Sequence, residues 1–236
     1  MNLLRVAMAV LLNGSKSSCT NLYTLVSRPF APCPDDAHDG FQSFSERKKM
    51  KKILLVFCCM FLSWNASALE VSGVKLADSI HLGSRDLVLN GAGLRTKFFF
   101  KVYVAALYLG VKTHVAGAAL NQSGEKRVAL HILRELSDEQ MLHSFNEVMV
   151  ANHTAAEMQA LEPQLKELTA IFHVVGKVND GDVVDLDYLP VSGTQIIVNG
   201  VLRGNIAGEA FNRALFKIWL GDKPAQPDLK QKMLGM

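Results

Sequence analysis

Residues Asn90 to Leu109, NGAGLRTKFFFKVYVAALYL, carry the reading on which the fold of this 236-residue chain turns. From Lys97 the odd positions are Lys, Phe, Lys, Tyr, Ala, Leu and Leu, and the even ones Phe, Phe, Val, Val, Ala and Tyr. Period-two alternation predicts a buried strand with one almost wholly apolar face and one mixed face bearing Lys101 and Tyr103. Aromatic and β-branched residues between Phe98 and Val104 favour strand over helix. Gly91-Ala92-Gly93 reads as a turn ahead of it. Arg95 then stands at the lip of an apolar strand, which makes it a candidate anion site.

Working outward, residues 50–68, MKKILLVFCCMFLSWNASA, have the form of a secretory signal. Met50 is followed by two lysines, an apolar run from Ile53 to Leu62 and the small-residue cleavage pattern Ala66-Ser67-Ala68. The run is shorter than the ~20 apolar residues a spanning helix needs, so a cleaved signal is expected rather than an anchor. The predicted mature chain starts at Leu69 and is periplasmic or secreted. Residues 1–49 show no sustained periodicity and read as an upstream extension, either disordered or outside the translated protein.

This division changes the charge argument. The whole chain has a formal charge of +3, but residues 1–68 hold eight Lys and Arg against four Asp and Glu. Residues 69–236 therefore carry 17 basic against 18 acidic groups, a net charge near −1. Nucleic-acid binding loses its electrostatic support. All four cysteines, Cys19, Cys33, Cys58 and Cys59, precede Leu69, so the exported domain must be held by its core alone. Its 168 residues suffice for one domain, residues 69–236.

Short β-type runs come first, at Val71–Leu76, Asp86–Leu89, Phe98–Leu109 and Arg127–Leu133, separated by glycine turns such as Leu82-Gly83-Ser84. Ser137 with Gln140 forms a capping-box signature, followed by Met141, Phe145, Val148 and Met149 on one helical face. A second helical pattern spans Ala155 to Phe172, with Met158, Leu161, Leu165 and Leu168 on a stripe and Pro163 as a kink or restart. Asn179-Asp180-Gly181 then signals a turn before a strand at Val183–Leu189. Asn199-Gly200 predicts a hairpin joining Thr194–Val198 to Val201–Arg203. The final expected helix runs from Ile206 to Leu220, capped by Asn205, burying Ile206, Ala210, Phe211, Ala214, Leu215 and Ile218, and ending at Gly221 before Pro224. This order predicts an α+β fold, a mainly antiparallel sheet with helices packed on one face.

Three segments together, GAGLR at 91–95, KVYVAALYL at 101–109 and GNIAGEAFNRALFKIWLGDKP at 204–224, resemble the bacterial branch of the chalcone isomerase-like family. The resemblance covers essentially all of residues 69–236 and implies an open-faced β-sandwich with a ligand cleft between sheet and helices. It implies either a fatty-acid-binding protein, holding a carboxylate in that cleft, or an intramolecular lyase that closes a flavanone ring. In both, Arg95 matches the arginine that grips the anion, a role suited to a bidentate guanidinium. Tyr103 matches a position that is threonine in the plant isomerases and tyrosine in the fatty-acid-binding branch. Tyrosine there favours binding of a small apolar acid over cyclisation of a phenolic substrate, since a phenol donates one hydrogen bond to a carboxylate. An envelope interaction module without a small ligand is the third reading.

Eight residues of unbroken strand would put Arg95 about 26 Å from Tyr103. The two share a site only if the chain turns or bulges between Thr96 and Phe100; otherwise Tyr108 or another strand must partner Arg95. The simpler readings are a surface Arg95 paired with an acid such as Asp86, an ordinary half-buried Tyr103, and solvated or snorkelling Lys97 and Lys101. His131, His143, His153 and His173 fall in no HExxH pattern, so no metal is expected. Asp180, Asp182, Asp185 and Asp187 read as turn and strand-edge acids, because the glycine spacing of a calcium loop is absent. Gly91-Ala92-Gly93 lacks the third glycine and following helix of a dinucleotide site, and no cofactor is expected.

Overall fold

The structure, a computed structural model, describes residues 69–236. The upstream extension, the signal segment and the cysteines lie outside the described residues. The chain opens with a ribbon, β1 (Leu69–Val71) and β2 (Val74–Leu76), and continues through β3 (Ser79–Leu82), β4 (Arg85–Lys97) and β5 (Phe100–Leu109). Helix α1 (Ala116–Asn121), β6 (Lys126–Ile132) and β7 (Leu136–Ser137) lead to α2 (Asp138–Asn152), α3 (Ala155–Ala160) and α4 (Glu162–Val175). Then come β8 (Lys177–Val178), β9 (Val183–Leu189), β10 (Gly193–Val198), β11 (Val201–Ile206), α5 (Glu209–Leu220) and α6 (Pro227–Met233).

Seven strands form one antiparallel sheet in the order β11-β10-β9-β6-β5-β4-β3, flanked by the ribbons β1-β2 and β7-β8. Strand β5 lies deep in this sheet, and its alternation sorts the two faces. Ala105, Leu107 and Leu109 pack with the helices, against Phe145 and Met149 of α2, Leu168 of α4, Phe211, Leu215 and Trp219 of α5 and Leu229 of α6. Val104, Ala106 and Tyr108 face the other way, where Leu76 of the amino-terminal ribbon covers them with Leu87, Leu89 and Ala92. The α+β architecture with helices on one face stands as expected, with a two-stranded flap added on the other.

Local signals explain most boundaries. Both halves of the Ser137–Gln140 capping box are formed, and Pro163 restarts the helix at α4 after Leu161. Asn199 (φ 51°) and Gly200 (φ 76°) turn β10 into β11, left-handed geometry that Asn-Gly adopts readily. The run from Val71 to Leu76 is not one strand: Ser72 and Gly73, both at positive φ, fold it into the β1-β2 ribbon. The last long helix starts at Glu209 rather than Ile206. Thr194 pairs with Ile206 and Gln195 with Asn205, so the sheet retains those residues as strand. Gly208 therefore takes the cap position expected of Asn205, and Ala210 is exposed.

Gly91-Ala92-Gly93 is no turn. All three lie inside β4 and are buried. A Cβ on Gly91 would stand 2.2 Å from the Lys232 carbonyl oxygen and 2.8 Å from the Gly235 nitrogen; one on Gly93 would stand 2.9 Å from the Lys232 Cβ. The glycines are bare so that α6 can lie directly on the strand. Asn90 fastens the same contact, its side-chain amide donating to the carbonyls of Met233 (2.8 Å) and Thr113 (3.0 Å).

Candidate functional site

The register of β4 against β5 shifts between Leu89 and Gly91. Leu87 and Leu89 face the ribbon; beyond the shift Gly91 and Gly93 face α6, and Ala92 and Leu94 keep to the ribbon side. Arg95 follows the glycines onto the helical side. Directly opposite it across the ladder is Tyr103. The chain closes the gap with a tight hairpin: Lys97 pairs with Phe100, Phe98 and Phe99 form the turn, and a second register shift follows Arg95. The turn that Arg95 and Tyr103 require therefore exists, and the two residues are strand neighbours.

The Arg95 guanidinium is not paired with Asp86, which instead contacts His81 at 2.8 Å. Among the described residues no acid pairs with Arg95. Its Nη1 donates to the Thr96 carbonyl (3.1 Å) and to Oε1 of Gln226 (3.4 Å). The same Gln226 oxygen accepts from the Thr96 backbone N–H (3.0 Å) and hydroxyl (3.4 Å), while the Gln226 amide donates to the Leu94 carbonyl (3.3 Å). One cationic and two neutral donors thus converge on a single oxygen, a cradle that an oxyanion would fill more strongly than an amide.

Tyr103 projects into the same layer. Its hydroxyl accepts from Nε1 of Trp219, on α5, at 3.1 Å. Burial raises its pKa above the ordinary phenol value, only partly offset by the Trp219 hydrogen bond and the Arg95 charge. The phenol stays protonated at neutral pH, and with Trp219 donating to its oxygen its own proton can be given to a ligand oxygen. Partly buried apolar side chains, among them Met141 of α2, Ile171 and Phe172 of α4 and Leu130 of β6, pack in the same layer between sheet and helices.

Tyr108 does not join this pair. Five residues beyond Tyr103, it points to the opposite face, and its hydroxyl donates to the Ala77 carbonyl at 3.1 Å. There it borders a cleft of about 260 Å3 lined also by Lys75, Ile80, Arg127, His131 and Asp185. Asp185 and Asp187 are not strand-edge acids: β9 is paired on both sides, and Asp187 is buried in an ion pair with Arg127. Asp185 stands 3.4 Å from the same guanidinium, and burial raises its pKa despite that charge. A second cleft, of about 300 Å3, lies at Asp222, Pro224, Pro227, Lys230, Gln231 and Met236. Neither cleft includes Arg95 or Tyr103.

Two of the four candidate histidines make local contacts, His173 with Asp138 and His153 with the Met149 carbonyl. Among the described residues no three His, Cys, Asp or Glu side chains group as a metal site. The residues that sequence reasoning missed are Thr96, Gln226 and Trp219. Gln226 lies 131 positions from Arg95, with no local pattern to mark it. Trp219 stands within the 204–224 segment that carried the resemblance, and its placement over Tyr103 emerges only from helix packing.

No curated protein sequence matches the chain. Among solved structures, the fold is similar to the crystal structure of an Arabidopsis thaliana fatty-acid binding protein, AtFAP1, with a TM-score of 0.56. The match has 14% sequence identity and covers 69% of this chain and 92% of that one, a likeness of fold alone. The model of the chalcone isomerase-like family matches residues 68–235. With that span including every element of the sheet and its helical cover, the chain belongs to the chalcone isomerase-like family.

Proposed function

We propose that this is an exported protein that binds a small apolar acid, of the fatty-acid class, between sheet and helices, with the carboxylate on Arg95. The observation that carries the reading is the convergence of Arg95 Nη1, the Thr96 N–H and the Thr96 hydroxyl on the Gln226 oxygen beside Tyr103. An arginine with no acid partner among the described residues, opposite a protonated phenol, meets the needs of a carboxylate: two or three donors and no competing anion among those residues. The carboxylate replaces the Gln226 oxygen, and the alkyl chain enters among the half-buried side chains of α2 and α4. The fatty-acid binding of the Arabidopsis structural neighbour agrees with this choice of ligand. Export rests on the signal-like residues 50–68. Mass spectrometry of lipids extracted from purified wild type and Arg95→Ala tests the anchor: wild type should retain an acid that the variant loses, and equal recovery sinks it.

The second reading, an interaction module with no small ligand, is favoured by Gln226 occupying the donors and by both described clefts lying elsewhere. It predicts that neither protein carries lipid. The intramolecular lyase reading would have Arg95 stabilise a phenolate and Tyr103 polarise a carbonyl. It predicts cyclisation of a chalcone above the spontaneous rate, lost in Arg95→Ala.

A further inference from the structure

The turn joining β4 to β5 is made of Phe98 and Phe99, and the next residue is Phe100; these three side chains are 85%, 99% and 60% exposed. Turn positions favour Gly, Asn and Asp, and Phe98 is held at φ 55°, a region that bulky residues enter only with strain. The chain therefore accepts a backbone cost to carry an aromatic where its own core cannot use it. Lys97 and Lys101, both exposed, bracket the three rings. The Arg134 guanidinium lies 5.0 Å from the centre of the Phe100 ring. The acid of the neighbouring loop, Glu135, is engaged by Lys177 at 2.9 Å. Among the described residues no acid pairs with Lys97, Lys101 or Arg134, although residues 69–236 as a whole are close to neutral.

We propose that this hairpin tip docks the protein onto an anionic lipid bilayer, with Phe98 and Phe99 in the interfacial apolar layer and Lys97, Lys101 and Arg134 on headgroup phosphates. A convex, narrow tip needs a preformed pocket on a protein partner, whereas a bilayer yields around it. Aromatic rings settle at the water–lipid boundary, and basic side chains at the same depth add attraction to anionic lipid. The turn is only two residues long, so little backbone enters the interface, and there water and headgroups remain within reach of its polar groups. Docking stands independently of the ligand reading; Arg95, three residues from the turn, would merely be brought close to the lipid.

Co-sedimentation with vesicles of phosphatidylcholine, with and without phosphatidylglycerol, tests this. Wild type should bind the vesicles containing phosphatidylglycerol, more weakly as salt is raised. Phe99→Ser should weaken binding roughly tenfold or more. Lys97→Gln combined with Lys101→Gln should weaken it roughly tenfold on anionic vesicles and flatten the salt dependence. Both variants should keep the wild-type unfolding transition, since these side chains are exposed. Absence of wild-type binding to the vesicles containing phosphatidylglycerol, or equal binding of Phe99→Ser, overturns the proposal. So does a loss of self-association in Phe99→Ser with vesicle binding intact, which would make the tip a contact between copies.

Discussion

Arg95 and Tyr103, eight positions apart in sequence, face each other across the β4–β5 ladder, and Gln226 caps the arginine from the start of α6. The cap residue of a seven-residue helix near the carboxyl terminus thereby occupies the donors of the site proposed on the hairpin.

This arrangement makes opposite predictions for stability and binding at one residue. Gln226→Glu puts a carboxylate among the donors of Arg95 and Thr96, pairing the guanidinium with an anion and placing an acid at a helix start, which outweighs the lost amide bond to the Leu94 carbonyl. Thermal unfolding should show a gain of about 1 kcal/mol, while affinity for a fatty acid falls tenfold or more because the built-in carboxylate competes. Gln226→Ala should shift both in the reverse direction.

Gly91 tests the seat of that helix. In Gly91→Ala the new methyl collides with the backbone of Lys232 to Gly235, which has no flexible side chain to give way. Denaturant unfolding should show a loss of about 3 kcal/mol, and limited proteolysis should cut the carboxyl terminus sooner. An unchanged digestion pattern would mean that α6 is not held as described.

Lys126 supplies a pH signature. It is 1% exposed, donates to the Leu120 carbonyl at 3.0 Å and lies over the Tyr188 and Phe216 rings. Burial lowers its pKa to about 8, with Glu209 opposing the shift and Arg213 assisting it. Between pH 8 and its ordinary 10.5 the unfolded chain holds a proton that the folded chain has released. Unfolding takes up a proton there, so stability rises with pH across this window, and the cost of burying the charge is complete below it. Relative to Lys126→Met, wild type should gain stability from pH 8 to 10.5, by up to ~3 kcal/mol. Parallel curves for the two proteins would contradict the shift.

Much of the sheet was legible because it obeys short-range rules. Alternation marked β5, the Asn179-Asp180-Gly181 turn signal marked β9, Asn199-Gly200 marked its hairpin, and Ser137 with Gln140 marked the start of α2. One failure comes from a residue type that serves two purposes. Gly91 and Gly93 looked like a turn, whereas their role is close helix approach, a contact with residues 141 and 139 positions away for Lys232 alone. The turn itself is built from phenylalanines, which carry no turn signal. Helix α6 is too short for periodicity to reveal, and depends on its packing against the sheet and α5. Arg95 is a candidate from its place at the lip of the strand, and the family resemblance adds Tyr103. Their meeting depended on the hairpin, and the Gln226 cap on tertiary packing alone.

Titration of a long-chain fatty acid and its methyl ester into wild type and Arg95→Ala bears most directly on the account, because the two ligands differ only at the group Arg95 is held to grip. Wild type should bind the acid at least tenfold more tightly than the ester, a preference worth about 1.4 kcal/mol, and Arg95→Ala should bind both alike. Equal affinity of wild type for acid and ester would contradict the assignment of Arg95 as the carboxylate anchor.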